Sequence, residues 1–343
     1  MSDQETSRSR GAVIGTARGH DGAPRGRPPV RAAWWAAWLA CALAMLALSP
    51  APPLRAQAAP PIAAPPPTPQ HPSPMTESTR RHERLTERAL PGTMRRLVGP
   101  AGAPVELWIP ARPRATMDLV VHFHGAAWLA QQAVAAHGTR AVVAVLNLGS
   151  GSGVYDRRFS DPAAFDSLLV LIARDLAEAT GRPTTIGRVT LSGFSAGHGA
   201  VRAILREARH VARVDAVLLL DGLHTSYRPE GTVLAAGGVL DTTNLVALTA
   251  FARAAMRGDK RLLITHSEIF PGTFASTTET ADWMLASLGL QRTPVARFDA
   301  RGMQQLSAVR AGGFTLLGYA GNSAPDHIDQ FHAMPEQLAR LLK

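Results

Sequence analysis

Two periods alternate along most of the chain. Short apolar runs of strand character, at 105–109, 118–123, 141–148, 188–192, 214–220, 261–265 and 314–318, are separated by segments whose apolar residues recur every three to four positions, at 161–180, 196–208, 242–257, 276–288 and 327–342. Several runs are apolar at successive positions, as in AVVAVLNL and AVLLL. A strand that is apolar on both faces has to be covered on both faces. The pattern therefore predicts an α/β domain, a mostly parallel central sheet with helices on both faces. The punctuation agrees with it. Asp161 stands in a capping position ahead of Pro162, and Gly181 follows the last periodic residue of the same helix. The segment TFASTTETADW reads as a capped helix start.

The alternation is absent before residue 81. Residues 32–48 form an uncharged apolar run, AAWWAAWLACALAMLAL, which follows six arginines between positions 8 and 31 and precedes Ala56-Gln57-Ala58. A basic flank, an apolar stretch and a small-residue cleavage site are the parts of an export signal, with the basic flank on the cytoplasmic side. The run also approaches the roughly 18 residues that begin to span a bilayer, so a membrane anchor over 32–48 is the alternative to cleavage near Ala58. Either way the remainder is exported, to the periplasm or beyond. The Pro/Ala-rich stretch at 59–80 reads as an extended spacer. The expected organisation is a signal or anchor at 1–58, a linker at 59–80 and a folded domain at 81–343.

Composition narrows the classes. The 343 residues are 46% hydrophobic and 18% charged, which suits a large core and excludes wholesale disorder. The single cysteine, Cys41, lies in the apolar run, so neither an intramolecular disulfide nor a Cys-rich metal site can form. The net charge of +10 includes seven arginines and three acids in residues 1–58; the remaining 29 basic and 23 acidic residues leave a mild +6. No nucleic-acid partner is expected, and membrane contact is expected only through the N-terminal segment. The GSGSGVY stretch at 149–155 has the composition of a phosphate cradle but lacks the lysine and spacing of one. It reads as a flexible substrate-binding loop, and no cofactor is implied.

In a parallel sheet, ligands bind beyond the carboxyl ends of the strands. There the chain carries Gly193-Phe194-Ser195-Ala196-Gly197, directly between the strand RVTLS and the helical AGHGAVRAILREA. Small residues on both sides of a serine allow a sharp strand-to-helix turn that presents its hydroxyl above the sheet. On this motif, and on the order of strands and helices over 97–343, the chain resembles the α/β-hydrolase superfamily of serine hydrolases.

The resemblance implies a Ser-His-acid triad and an acyl-enzyme. Ser195 is the implied nucleophile. An oxyanion hole would use the N–H of Ala196 and one from the HFHGAAW loop, Gly125 or Ala126. The base follows the last strand, with His327 preferred and His332 as the alternative. Two positions fit the acid: Asp221, which ends VLLLD, and Glu268, which follows RLLITHS. Asp326 and Asp329 read as helix-capping charges, while His198 and His224 read as residues near the pocket. A metal pair at His122 and His124 is a rival reading, without a carboxylate at metal-ligand spacing. The expected activity is cleavage of an ester-like or amide bond in a small or polymer-borne substrate. The alternatives are an acyltransferase on the same machinery and a catalytically silent, hydrolase-like binding module of the cell envelope. Oligomeric state is left open.

Overall fold

The computed structural model describes residues 84–137, 141–299 and 301–343. The export segment with Cys41 and the Pro/Ala-rich spacer lie outside the described residues. The expected apolar runs are all strands: β2 (Pro104–Pro110), β3 (Thr116–Phe123), β4 (Ala141–Leu146), β5 (Thr185–Phe194), β6 (Ala216–Leu220), β9 (Arg261–His266) and β12 (Phe314–Tyr319). Five more strands complete the set, namely β1 (Gly92–Val98), β7 (Tyr227–Arg228), β8 (Val239–Leu240), β10 (Thr293–Phe298) and β11 (Gln304–Ala311). Ten strands form one sheet in the order β1-β2-β4-β3-β5-β6-β9-β12-β11-β10, and β7 and β8 pair separately. From β4 to β12 the neighbours run parallel. Antiparallel pairings flank this centre, through β2 and β1 on one side and β11 and β10 on the other.

Nine α-helices accompany the sheet among the described residues: α1 (Ala127–Ala136), α2 (Ser152–Phe159), α3 (Pro162–Thr180), α4 (His198–Ile204), α5 (Ala208–Arg213), α6 (Val246–Met256), α7 (Thr277–Leu288), α8 (Ala324–His332) and α9 (Met334–Leu341). The two faces of the sheet feed two cores. In β6, Val217 and Leu219 pack into a core shared with α2, α3, α4, α6 and α7, while Leu218 and Leu220 pack into a second core with α1, α8 and α9. This is the doubly covered parallel sheet that the uninterrupted apolar runs require.

Several local expectations are corrected. The helix expected over 196–208 begins as a 3-10 turn and ends with α4 at Ile204, and helix resumes only in α5, after Glu207 leaves helical geometry (φ −93°, ψ 122°). The helix expected from residue 327 starts at Ala324, where Ser323 and Asp326 form a reciprocal capping box, and the chain breaks again at Ala333 ahead of Pro335. Residues 149–155 are not wholly a loop, since α2 begins at Ser152. Of the two aspartates read as caps, Asp326 is one, whereas Asp329 pairs with Arg84 Nε at 2.7 Å.

Candidate active site

The carboxyl ends of all six parallel strands meet at one edge, and four local devices shape it. The first is the bend at Ser195. Strand β5 ends at Phe194, Ser195 adopts φ +46°, and a 3-10 turn over Ser195–Gly197 leads into α4. A Cβ on Gly193 would lie 3.0 Å from the Gly197 carbonyl carbon, and one on Gly197 would collide with the Phe123 carbonyl at the end of β3. Both glycines are therefore needed for strand and helix to approach this closely. Left-handed geometry at a non-glycine residue is costly, and it concentrates where surrounding structure enforces it.

The second device is the turn after β6. Asp221 also has positive φ, +44°, and is 1% exposed. The following Gly222 abuts the bend, since a Cβ there would lie 3.0 Å from the Ser195 carbonyl oxygen. The Asp221 carboxylate accepts four hydrogen bonds, from Ser267 N–H (2.9 Å), Ser267 Oγ (2.6 Å), Thr277 Oγ1 (2.8 Å) and His327 Nδ1 (2.7 Å). Burial opposes its ionisation, but the bonds from His327 and Ser267 prevail and pull its pKa down to about 2. A carboxylate in this state holds an imidazole with its Nδ1 protonated, which leaves Nε2 to exchange a proton.

The third device seats His327. The capping box of α8 places His327 one turn into the helix. The ring packs against Phe194 at 4.6 Å between centroids, and Phe194 in turn stacks on Phe331 at 4.9 Å. Phe331 also stacks on His122 at 5.0 Å, so an aromatic pile runs from His327 down to the sheet. The Ser195 hydroxyl forms no hydrogen bond among the described residues.

The fourth device is the loop after β3. His124 has φ +71° and Gly125 φ +117°, and a Cβ on Gly125 would collide with the Phe331 ring. Here one expectation is corrected. The Gly125 N–H donates to Asn147 Oδ1 at 2.9 Å, and Asn147 Nδ2 donates back to the Gly125 carbonyl at 2.9 Å. That N–H is committed to Asn147, whereas of the other two candidates Ala126 stands at the start of α1 and Ala196 in the first turn at the bend.

The remaining candidates separate clearly. Glu268 is exposed and His327 is not among its partners, so of the two candidate acids it is Asp221 whose carboxylate bonds the imidazole. His332 accepts the Leu85 N–H at 2.9 Å through Nδ1 and meets Trp128 edge-on, which ties the start of the described chain to α8. His122 is fully buried with both ring nitrogens engaged, Nε2 with the His124 carbonyl at 2.8 Å and Nδ1 with Ser192 Oγ at 3.0 Å. Burial pushes its pKa down to about 3. It supports the loop and has no nitrogen to offer a metal. His124 bonds Tyr155 Oη at 3.0 Å. Among the described residues no group of three or more His, Cys, Asp or Glu is arranged to hold a metal ion.

His198 donates from Nδ1 to the Ser195 carbonyl at 2.8 Å, and burial, with His224 and Arg202 nearby, pushes its pKa down to about 3. His224 bonds the Ala275 carbonyl at 3.1 Å, its ring 5.5 Å from that of His198. Sequence reasoning passed over Asn147, Ser267 and Thr277. Each is a polar residue just beyond a strand end or at a helix start, the position that marked the other candidates.

No protein-family model matches the chain, and no curated protein matches it. Solved structures with related architecture include a hyperthermophilic esterase from the archaeon Pyrobaculum calidifontis (13% identity, 75% of this chain and 87% of that one, TM-score 0.40). A thermostable carboxylesterase cloned from a metagenomic library (12%, 78% and 93%, TM-score 0.43) and poly(aspartic acid) hydrolase-1 from Sphingomonas sp. KT-1 (14%, 73% and 98%, TM-score 0.42) are similar to the same degree. Likeness this remote carries nothing about activity. The α/β-hydrolase fold is recognised in this chain's own strand order and in the strand–turn–helix bend at Ser195.

Proposed function

We propose that the protein is an exported serine hydrolase that cleaves an ester-like or amide bond through Ser195, His327 and Asp221. The observation that carries the proposal is the 2.7 Å bond between His327 Nδ1 and the buried Asp221 carboxylate, formed between strand ends beside a serine held at positive φ. Nothing in the packing of a parallel sheet calls for a strained serine, a strained aspartate and a partly exposed imidazole at one edge. Acyl transfer calls for all three.

In the proposed reaction Ser195 Oγ turns to His327 Nε2, gives up its proton and attacks the carbonyl carbon. Asp221 stabilises the imidazolium. The N–H groups of Ala196 and Ala126 meet the developing oxyanion, each such donor contributing about 3 kcal/mol. As the tetrahedral intermediate collapses, His327 returns the proton to the leaving oxygen or nitrogen. Water, deprotonated by the same imidazole, then attacks the acyl-enzyme and releases the carboxylic acid and free Ser195.

The test is labelling with a fluorophosphonate probe. Wild type should be labelled and Ser195→Ala should not, and an unlabelled wild type would remove the proposal. Product analysis with an added alcohol separates hydrolysis from acyl transfer to that alcohol. Export is tested by sequencing the N-terminus of the mature protein, with a start near Ala59 expected; an intact N-terminus would favour the anchor.

A further inference from the structure

A cleft of about 500 Å³ opens beside Ser195, within the range of small-molecule sites. Ser150, Ser152, Thr225, Ser226 and Asn244 give it hydroxyl and amide groups, and Phe274 is its one large apolar wall. Its lining includes no carboxylate, and burial keeps His198 and His224 in their neutral forms. Arg202 is the one full charge in it.

The position of Arg202 is set by the helix. His198 and Arg202 are spaced i and i+4 on α4, which places them one turn apart on one face, and both line the cleft with Ser195. Arg202 therefore lies about 6 Å along the helix beyond His198, whose ring bonds the Ser195 carbonyl, with its side chain tilting back toward the bend. Its charge is only partly matched. Arg202 Nε donates to Asp156 Oδ2 at 2.7 Å, but Arg206 already grips both oxygens of Asp156, at 3.0 Å each. Two guanidiniums thus share one carboxylate, a surplus of one positive charge. Arg206 is 41% exposed and outside the cleft, whereas Arg202 is 14% exposed and lines it. Among the described residues the terminal nitrogens of Arg202 have no hydrogen-bond partner. A sheltered guanidinium fork with one unmatched charge suits a planar monoanion.

We infer that Arg202 is a specificity determinant that binds a carboxylate carried by the substrate several bonds from the scissile carbonyl, so that the preferred substrate is an anionic ester or amide. The inference rests on the serine-hydrolase reading of Ser195. It places the carboxylate on either the acyl part or the leaving group, and the assay has an arm for each.

The experiment compares kcat/KM for p-nitrophenyl hydrogen adipate with that for its methyl ester, and for 4-carboxyphenyl butyrate with that for its methyl ester. Wild type should prefer the anionic member of one pair by about tenfold or more, the size expected of a hydrogen-bonded charge pair. Arg202→Gln should erase that preference and Arg202→Lys should keep part of it. Arg206→Gln, which removes the same charge outside the cleft but leaves Asp156 to Arg202 alone, should weaken the preference and still retain more of it than Arg202→Gln does. A second arm measures binding of monomethyl adipate and dimethyl adipate to Ser195→Ala by calorimetry, with and without Arg202→Gln. Tighter binding of the monoanion, lost with Arg202, is the expected result. Turnover of both pairs with no charge preference, or a preference that survives Arg202→Gln, overturns the inference and leaves the hydrolase reading standing. Arg202-dependent binding of the monoanion by a protein that turns over no ester overturns the hydrolase reading and with it the substrate preference, and reduces Arg202 to a carboxylate-binding residue. Neither turnover nor selective binding removes both.

Discussion

The two edges of the sheet are built from the same strands and could hardly differ more. At the amino ends, Asp118, Arg188, Asp215 and Lys260 surround a shallow cleft of about 290 Å³. These charges are matched locally. Arg188 grips Asp118 from Nε, Nη2 and its own backbone N–H, in a pair whose side chains are 66% and 39% exposed, and Lys260 Nζ bonds the Val214 carbonyl at 2.7 Å. At the carboxyl ends, three non-glycine residues have positive φ, His124, Ser195 and Asp221, and His122, His198 and His266 are buried with pKa values pushed far down. A depression alone does not make a site. Strain and buried titratable groups cost stability, and a chain keeps them where they do chemistry.

The contrast can be broken by substitution, starting where the effect is largest. Asp221→Asn should lower kcat by about 10⁴-fold, because the amide fixes the wrong imidazole tautomer, while Glu268→Gln should stay within a few-fold; the reverse ranking in steady-state assays would move the acid to Glu268. Ser267→Ala removes the 2.6 Å bond to Asp221 Oδ2 but keeps the backbone donor. It should cost about 10- to 100-fold in kcat. It should also raise the acid limb of the kcat/KM profile, since Asp221 loses a donor that favours its ionised form; loss of activity with an unmoved limb would reduce Ser267 to a packing role.

Acid unfolding sharpens the same contrast. His122 and His198 are lowered to about 3 and His266 to about 4, from 6.5, in each case chiefly by burial. The unfolded chain therefore binds more protons than the folded one below pH 6.5, and stability is lost as pH falls from there toward 4. The loss is on the order of 1.4 kcal/mol per pH unit for each histidine. The depressed Asp221 contributes in the same direction, through stability that is lost as pH falls below the ordinary carboxylate range toward 2. The melting temperature should fall by several degrees between pH 7.5 and 5, and His266→Asn should flatten that slope. At the other edge, Arg188→Ala should change stability by no more than about 0.5 kcal/mol and leave turnover alone.

What could be read from the chain followed the range of the interactions. The bend at Ser195 is local: five residues with small neighbours, between a strand and a helix, specify it. The pairing of Asp221 with His327 spans 106 positions, and only the position of each just beyond a strand pointed to it. The choice between Asp221 and Glu268 needed geometry, because both follow adjacent strands and only the path of α8 decides which one His327 reaches. The role of Asn147 was hidden for a similar reason, since the oxygen that occupies Gly125 N–H arrives from the neighbouring strand. Among the elements, α1 escaped because AWLAQQAVAA is apolar nearly all round and has no clear stripe. The edge strands β1 and β10 escaped because they are largely exposed and lack an apolar run. Ser323-Ala324-Pro325-Asp326 did carry a helix-start signal, and it marks the true beginning of α8.

The aromatic pile beneath His327 has a consequence for how the machinery is switched on. The imidazole rests on Phe194 and is tethered to Asp221, and Phe194 is itself stacked on Phe331, so the ring is held from below and from one side. The adjustment the proposed mechanism asks of Ser195 is rotation of its hydroxymethyl group among three staggered settings. Such a hop takes picoseconds to nanoseconds, so under the proposed mechanism a serine that reaches the imidazole by this rotation would be armed far faster than any loop or domain movement could arm it.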